Sequence, residues 1–468
     1  MALRFLKKVP KFSKINAMHV DTFARSSLLQ VASPSGRKKI LQVEKEWHRP
    51  QGDDRVLDDN LMEYGKRLPS RCLSGDYLAI LRETMEELRP NELVVPTTLG
   101  AAEKNPQLPK TTSPGFPWIH KGYKTKQDVL DDQFAVGSIH GAWRAIGDGK
   151  SWSLPDSMAF HRVVASTKDR SKIRPVWGYP IDVLLEEARF FYPLFDELKV
   201  VSNERDTFYG IGLETGLSGH RHLCRHMLSA GVKLALCSDI SSFDAHVPAW
   251  LIRDVFSHMS SWFDFHHVRD SEGKIWPVDA AKTARRWRAM VSYFINTKIR
   301  TPSGLRFQKF QGVPSGSCFT NLMDTLCNAV MMRVALRRVT GNLPVKDYYM
   351  GDDSAVFINC SISLPDLATE LDTTFGSELS LRKTILTDNT DNIHWLGYYH
   401  RETGPQRDLD FIIASTLFPE REVEGPLDAT ARLLGQMYST MHPIWSVTFF
   451  DAVQHLRKLY SISEQDII

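Results

Sequence analysis

The sequence has no long apolar run. No window approaches eighteen consecutive apolar residues, so no membrane-spanning helix is expected. Its start, MALRFLKKVPKFSKINAMHV, is basic but lacks the sustained apolar stretch of a secretion signal. The six cysteines (72, 224, 237, 318, 327 and 360) form no CxxC pair. A structural zinc is therefore not expected, and thiols in a reducing compartment are. There is no internal repeat and no low-complexity segment. Net charge is also scarce, at +3. What is present, 42% hydrophobic and 24% charged residues over 468 positions, is ordinary for a globular protein and enough for two or three packed subregions or one elaborate α/β unit.

The small net charge hides an uneven distribution. Residues 1–50 carry 11 Lys/Arg against 3 Asp/Glu, or +8; residues 51–100 carry 6 against 10, or −4; the other 368 are near neutral, at −1. A basic arm on a neutral body suits contact with a polyanion, and a solvated basic tail has the same composition.

The stretch YYMGDDSAVF (348–357) places Asp352 and Asp353 side by side between two strand-like runs, with Gly351 where a tight turn reverses the chain. A chance GDD is expected on the order of 0.1 times in a chain this long, so the triplet alone decides little. Upstream, Leu234 to Cys237 read as a short buried strand, with Asp239 at its C-terminal end and Asp244 shortly after. From Pro248 the rhythm of Leu251, Ile252, Val255 and Phe256 is that of a helix face. Crowded carboxylates repel and some protonate unless a cation stands between them; Mg²⁺ or Mn²⁺, hard ions with oxygen ligands, fit that role. In GVPSGSCFTNLMDTLCNAVMMRVALRRV (312–339), a flexible loop holding Ser315 and Gly316 precedes a long helix. Phe319, Leu322, Met323, Leu326, Val330 and Val334 form its broad apolar face, and Ser315, Thr320 and Asp324 cluster near its beginning. In STKDRSKIRPVWGYP (166–180), Lys168, Arg170, Lys172 and Arg174 alternate. On one extended segment they would line a single side, as a triphosphate-binding ridge or as the charged guard of an edge strand.

In chain order these are a basic strand, Asp239-x4-Asp244, Ser315-Gly316-x3-Thr320, and Gly351-Asp352-Asp353. The series resembles that of the viral RNA-dependent RNA polymerases, unpermuted. TSPGFPW (112–118), with Ser113, Pro114 and Gly115, resembles the loop that admits the template; LSLRKTILT (379–387) resembles the segment whose lysine is proposed as general acid; IHWLGYYH (393–400) resembles the hairpin that grips the product. Seven motifs in order over roughly 290 residues make a specific signal. SFDAHVPAWLIRDVF, GVPSGSCFTNLMDTLCN and VWGYPIDVLLEEARFF are similar to the partitiviruses, bisegmented double-stranded RNA viruses. One departure separates the chain from the picornavirus pattern, where an Asn stands four residues after the motif threonine. Here it is Asp324, which when ionised only accepts hydrogen bonds.

The resemblance implies an α+β right hand whose palm is an antiparallel sheet backed by helices. Fingers would take residues 61–230 and, as an insertion, 258–312; the palm 231–257 and 313–392; the thumb 393–468. Residues 1–60 would be a fingers–thumb strap or a flexible arm, and the basic KTARRWRAM (282–290) an RNA-facing or a solvated helix face. Asp239 and Asp352 would ligate two Mg²⁺ or Mn²⁺ ions, with Asp353 auxiliary. Lys172 and Arg174 would neutralise the pyrophosphate, Lys383 would protonate it, and Asp244 with Ser315 and Asp324 would sense the 2′-hydroxyl. Gly316 would let RNA approach the backbone. Implied partners are template and product RNA, single- and double-stranded, ribonucleoside triphosphates and a viral capsid protein. The implied setting is a monomer inside the virion in the host cytoplasm. A reverse transcriptase would carry a bulky aromatic near position 244, and a nuclease would need neither the basic strand nor the SG-x3-T helix. An RNA-binding or capsid protein would not need ordered carboxylates.

Overall fold

A computed structural model of the chain describes residues 2–12, 18–169, 172–213, 215, 219–401 and 403–467. Its folding is α+β, with strands that pair mostly antiparallel and helices packed around them. Among the described residues no helix is long and apolar enough to cross a membrane.

At the centre is a four-stranded antiparallel sheet in the order Lys346–Met350, Asp353–Ile358, Leu234–Cys237, Ile385–Thr387. The apolar triplet Ala355-Val356-Phe357 is fully buried in its second strand. Helices Ala249–Ser260, Thr320–Thr340 and Leu364–Phe375 pack on one another and belong to the same core as this sheet. Leu251, Ile252, Val255 and Phe256 are buried, as their spacing predicts. The helix Thr320–Thr340 differs from a one-faced amphipathic helix: every residue from Leu322 to Met332 is buried. Its polar residues Asp324, Thr325 and Asn328 therefore lie inside the protein.

A second, five-stranded sheet has the order Leu3–Lys8, Leu305–Lys309, Lys298–Arg300, Ser157–Val164, Lys172–Gly178. The first strand of the chain thus pairs with residues some 300 positions later, Phe5 opposite Phe307. The next two helices, Thr22–Val31 and Pro34–Glu46, join Leu409–Leu417, Pro426–Thr440 and Pro443–Tyr460 in a separate apolar core around Leu28, Ile413 and Phe449. Asp21, fully buried, caps the first of these helices through Ala24 N (2.8 Å) and is paired with Arg432.

The basic cluster at 282–290 lies on helix Ala280–Ile295, and three of its four cationic side chains, Lys282, Arg285 and Arg286, hold partners on other segments of the chain. Arg286 pairs with Glu186, a carboxylate with no exposure that also takes Arg189 at 2.6 Å. Lys282 holds Asp148 at 2.6 Å, and Arg285 donates to Gly147 O at 2.6 Å. The cluster joins helices because a buried acid outcompetes solvent for a guanidinium.

Candidate active site

Met350 pairs directly with Asp353, leaving Gly351 and Asp352 as a two-residue hairpin loop. Gly351 has φ +66° and Asp352 a negative φ, the signs of a type II′ turn, which asks for glycine at its first position. Asp352 is exposed at the tip and Asp353 is half-buried at the start of its strand. The central helix clamps this tip. Thr325 Oγ1 accepts from Gly351 N (2.8 Å), and Asn328 Nδ2 donates to the carbonyls of Gly351 (3.1 Å) and Asp352 (3.0 Å).

Asp239 leaves the adjacent strand Leu234–Cys237. Ser238, just before it, bonds through its amide to Ser354 Oγ (3.2 Å), just after Asp353, so the two strand ends are held level. The turn 380–384 closes over the other side: Asp239 O accepts from Ser380 N (2.8 Å) and its amide donates to Thr384 Oγ1 (3.2 Å). That turn delivers Lys383, whose Nζ stands 3.1 Å from Asp239 Oδ1.

The carboxylates sense one another. Burial, then the charges of Asp352 and Asp239, push Asp353 up to about 6. Burial and Asp352 push Asp244 up to about 6 as well, against the pull of Arg174. Asp324 is driven well above the usual carboxylate range by burial and by Asp244 and Asp352, and its Oδ1 has no hydrogen-bond partner. Asp239, Asp352 and Asp353 are nevertheless splayed: their carboxylate oxygens do not all come within 4.8 Å of one another.

The loop before the central helix is built as tightly. Ser315 Oγ accepts from Trp177 N (3.0 Å), tying the loop to the basic strand Lys172–Gly178. Gly316 packs on the same strand so closely that a Cβ there would stand 1.7 Å from Trp177 O. Glu187, fully buried, accepts from Ser317 Oγ and Cys318 N, both at 2.8 Å, and burial pushes it up to about 8. Lys172 and Arg174 are exposed, while Ile173 between them is buried. Lys172 keeps solvent access along its side chain but is crowded by the side chains of the site, and this desolvation first, then Arg174 and Lys383, lower it, with Asp239 and Asp352 pulling the other way. The basic strand therefore faces the carboxylates.

A family model of the viral RNA-dependent RNA polymerases matches residues 78–404. The chain belongs to that family. It is 24% identical over 315 residues to the RNA-directed RNA polymerase of Atkinsonella hypoxylon virus, covering 59% of this chain and 46% of the relative. It is 26% identical over 359 residues to that of Cryptosporidium parvum virus 1, covering 71% and 63%, and 24% identical over 308 residues to that of White clover cryptic virus 1, covering 60% and 48%. The matched part of the chain thus spans about half to under two thirds of these relatives' lengths. A family member of this kind has the right-hand polymerase fold.

Within this polymerase fold the remaining expected residues fall in different places. Lys168 does not share the basic strand, because the chain reverses between Ser157–Val164 and Lys172–Gly178 and leaves it in the turn. Its amide and Nζ bond to the carbonyls of Glu46 (2.8 Å) and Glu44 (3.5 Å) instead. Arg170 lies outside the described residues. Directly opposite Arg174 stands Arg162, exposed on the partner strand and invisible to spacing within one segment. The hydroxyl of Thr320 is close to Pro314 O (2.7 Å) and Ser317 O (2.9 Å), so its proton shapes the loop. Ser113, Pro114 and Gly115 form a loop tied to the start of helix Ile181–Arg205. Lys126 Nζ donates to Ser113 O (2.9 Å), Ile181 N to Pro114 O (2.9 Å), and a Cβ on Gly115 would meet Pro180 Cα at 2.8 Å. Thr325, Asn328 and Glu187 were missed by motif reading. Their partners lie 23 to 131 residues away, and the only local signal is polarity within an apolar run.

Proposed function

We propose that the chain catalyses RNA-templated RNA synthesis from ribonucleoside triphosphates. One observation carries this most: Asp239 at a strand end and Asp352 and Asp353 at a facing hairpin lie beside the cations Lys172 and Arg174. The donor set fits hard divalent ions, since all three ligands offer oxygen, and burial followed by the charges of Asp352 and Asp239 already raises Asp353. Two Mg²⁺ or Mn²⁺ ions held by Asp239 and Asp352, with Asp353 auxiliary, would supply activation of the primer hydroxyl and charge neutralisation on the triphosphate.

The protein's own groups have separable tasks. Arg174 and Lys172 hold the triphosphate and balance charge on the departing pyrophosphate. Lys383 donates a proton to that pyrophosphate. Its pair with Asp239 is no obstacle: the side chains are 53% and 41% exposed, and such surface pairs are worth under about 1 kcal/mol. Asp244, Asp324 and Ser315 read the ribose. Ser315 uses its oxygen to hold Trp177 N and keeps its proton to donate, and the buried Oδ1 of Asp324 is a polar atom without a partner that a ribose hydroxyl can satisfy.

We assign fingers to 61–230 and 258–312, palm to 231–257 and 313–392, and thumb to 393–468. Residues 1–60 are then the strap between fingers and thumb rather than a free arm. What supports the strap is the pairing of Leu3–Lys8 with Leu305–Lys309 and the packing of the next two helices on the C-terminal three. From the partitivirus resemblance we extend the proposal to a double-stranded RNA genome and to a monomeric enzyme inside a capsid-protein shell.

The test is nucleotide incorporation without primer on single- and double-stranded RNA by the purified chain. Asp352→Ala and Asp239→Ala should abolish it while thermal stability holds or rises, because like-charge repulsion is relieved. Near-normal elongation by either variant refutes the assignment.

A further inference from the structure

A second group of metal-ligand side chains, distinct from the hairpin aspartates, gathers around the middle of the strand that leads into the hairpin. Helix His220–Met227 carries His222 and His226 one turn apart on a single face. Asp206 follows helix Ile181–Arg205 in a left-handed conformation, φ +47°, which turns it back towards them. Tyr348, from strand Lys346–Met350, brings its hydroxyl up between the three.

The four ligand atoms converge. Tyr348 Oη stands 2.6 Å from His222 Nε2, 2.8 Å from His226 Nε2 and 3.0 Å from Asp206 Oδ1. The two imidazole Nε2 atoms are 3.2 Å apart, and His222 Nε2 is 3.3 Å from Asp206 Oδ1. A tetrahedral ion with bonds of about 2.0–2.1 Å separates its ligands by about 3.3–3.4 Å. To hold one, the three contacts of the Tyr348 hydroxyl lengthen by about 0.3–0.8 Å, while the His222–His226 and His222–Asp206 separations already match. Among the described residues this is the one trio of Asp, Glu, His or Cys whose ligand atoms all lie within 4.8 Å of one another.

From this convergence we infer that Asp206, His222 and His226, with the Tyr348 hydroxyl in the fourth position, form a binding site for a tetrahedral transition-metal ion of the Zn²⁺ class. Two imidazoles and one carboxylate oxygen favour Zn²⁺ over the hard ions that the aspartate hairpin suits. The surroundings are ordered for binding. Lys346 Nζ takes the other carboxylate oxygen, Oδ2, at 3.4 Å, which leaves Oδ1 pointing at the rings. Asp206 is exposed and His222 and His226 are half-buried, so an ion can reach them from solvent. The ion would cross-link three segments: the end of a long helix, the short helix 220–227, and the strand that ends at Met350, two residues after Tyr348, just before the Gly351-Asp352 turn.

The competing arrangement is hydrogen bonds alone. Both rings would then carry a proton on Nε2 and donate to Tyr348, whose hydroxyl donates to Asp206, and no ion is held. Zinc analysis of the full-length chain decides between them. The protein is loaded with ZnCl₂ in excess Mg²⁺, which saturates hard-oxygen sites, then dialysed, and zinc per chain and thermal midpoint are measured. The expected result is one zinc per chain in the wild type, with a midpoint raised by zinc. His222→Ala and His226→Gln should each weaken zinc binding by about a hundredfold or more and remove the rise in midpoint, since even an outer-sphere partner is worth about 10–100-fold. Arg221→Ala, on the same helix and exposed, should retain zinc as the wild type does, and zinc retention should also be unchanged in Asp352→Ala, whatever its effect on synthesis. Three outcomes overturn the inference: no zinc retained by the wild type, equal retention by the His222→Ala/His226→Gln double variant, or loss of zinc in Asp352→Ala, which would put the ion at the hairpin.

Discussion

Glu187 offers a sharp test of how the loop before the central helix is held. It has no solvent exposure, accepts from Ser317 Oγ and Cys318 N, and is pushed by burial from an ordinary 4.5 up to about 8. A carboxyl whose pKa is raised by folding binds its proton more tightly in the native state. It costs nothing below the unfolded value, and stability falls as pH climbs from about 4.5 to 8. At 1.36 kcal/mol per pH unit the loss is under about 1 kcal/mol at pH 5 and about 3 kcal/mol at pH 7. Glu187→Gln has no proton to lose. Its carbonyl still accepts from Cys318 N, and its amide can donate to Ser317 Oγ once that hydroxyl turns. The variant should therefore gain about 2–3 kcal/mol over the wild type between pH 5 and pH 7. Thermal and urea midpoints of both proteins, measured at pH 5, 6, 7 and 8, give the difference directly. Parallel profiles, or a variant equally destabilised at every pH, would show that Glu187 is ionised in the fold and that its charge is needed as the cap.

Three further outcomes concern the site itself. Arg174→Ala should raise the apparent KM for all four nucleotides together, because triphosphate is common to them; an effect confined to one base means that the strand reads template instead. Asp244→Ala should cost ribonucleotides far more than deoxynucleotides. A buried hydrogen bond to a charged partner is worth roughly 1.5–3 kcal/mol, so the GTP/dGTP ratio of kcat/KM should fall about ten- to a hundredfold; an unchanged ratio refutes the sugar-sensing role. Asn328→Ala removes two bonds to the hairpin tip, at about 0.5–1.5 kcal/mol each. It should lower kcat with little change in KM, and a kcat equal to wild type would show that the clamp does not position Asp352.

The parts of this site that sequence revealed were those set by local rules. A glycine at a turn, an apolar run of four residues and a 3.6-residue rhythm located the hairpin, the strand Leu234–Cys237 and the helix Ala249–Ser260. Alternation of Lys and Arg was misleading at Lys168, because a period of two says nothing about where an extended segment turns back. The central helix looked one-faced because its polar residues imply water, whereas Asn328 and Thr325 find their partners in the hairpin backbone. Arg162 and Glu187 act across sheet register and helix packing, which depend on partners distant in sequence. The cysteine pattern argued against zinc, and that test could not see a cluster of histidine, aspartate and tyrosine drawn from three elements.

The early pairing of the N-terminal segment with much later residues has a consequence for synthesis on the ribosome. Strand Leu3–Lys8 has no strand partner until residue 309 has emerged, and the helices between 22 and 46 lack most of their apolar cover until residues 409–460 follow. At about 5–20 residues per second, the apolar faces around Leu28 and Ile40 wait about 20–80 s for their cover. Residues 3–46 are therefore made long before they are covered, and until then they stay open to chaperones, to proteases and to neighbouring nascent copies. A basic composition suits such a segment, since charge keeps an unfolded stretch apart from its own kind while it waits.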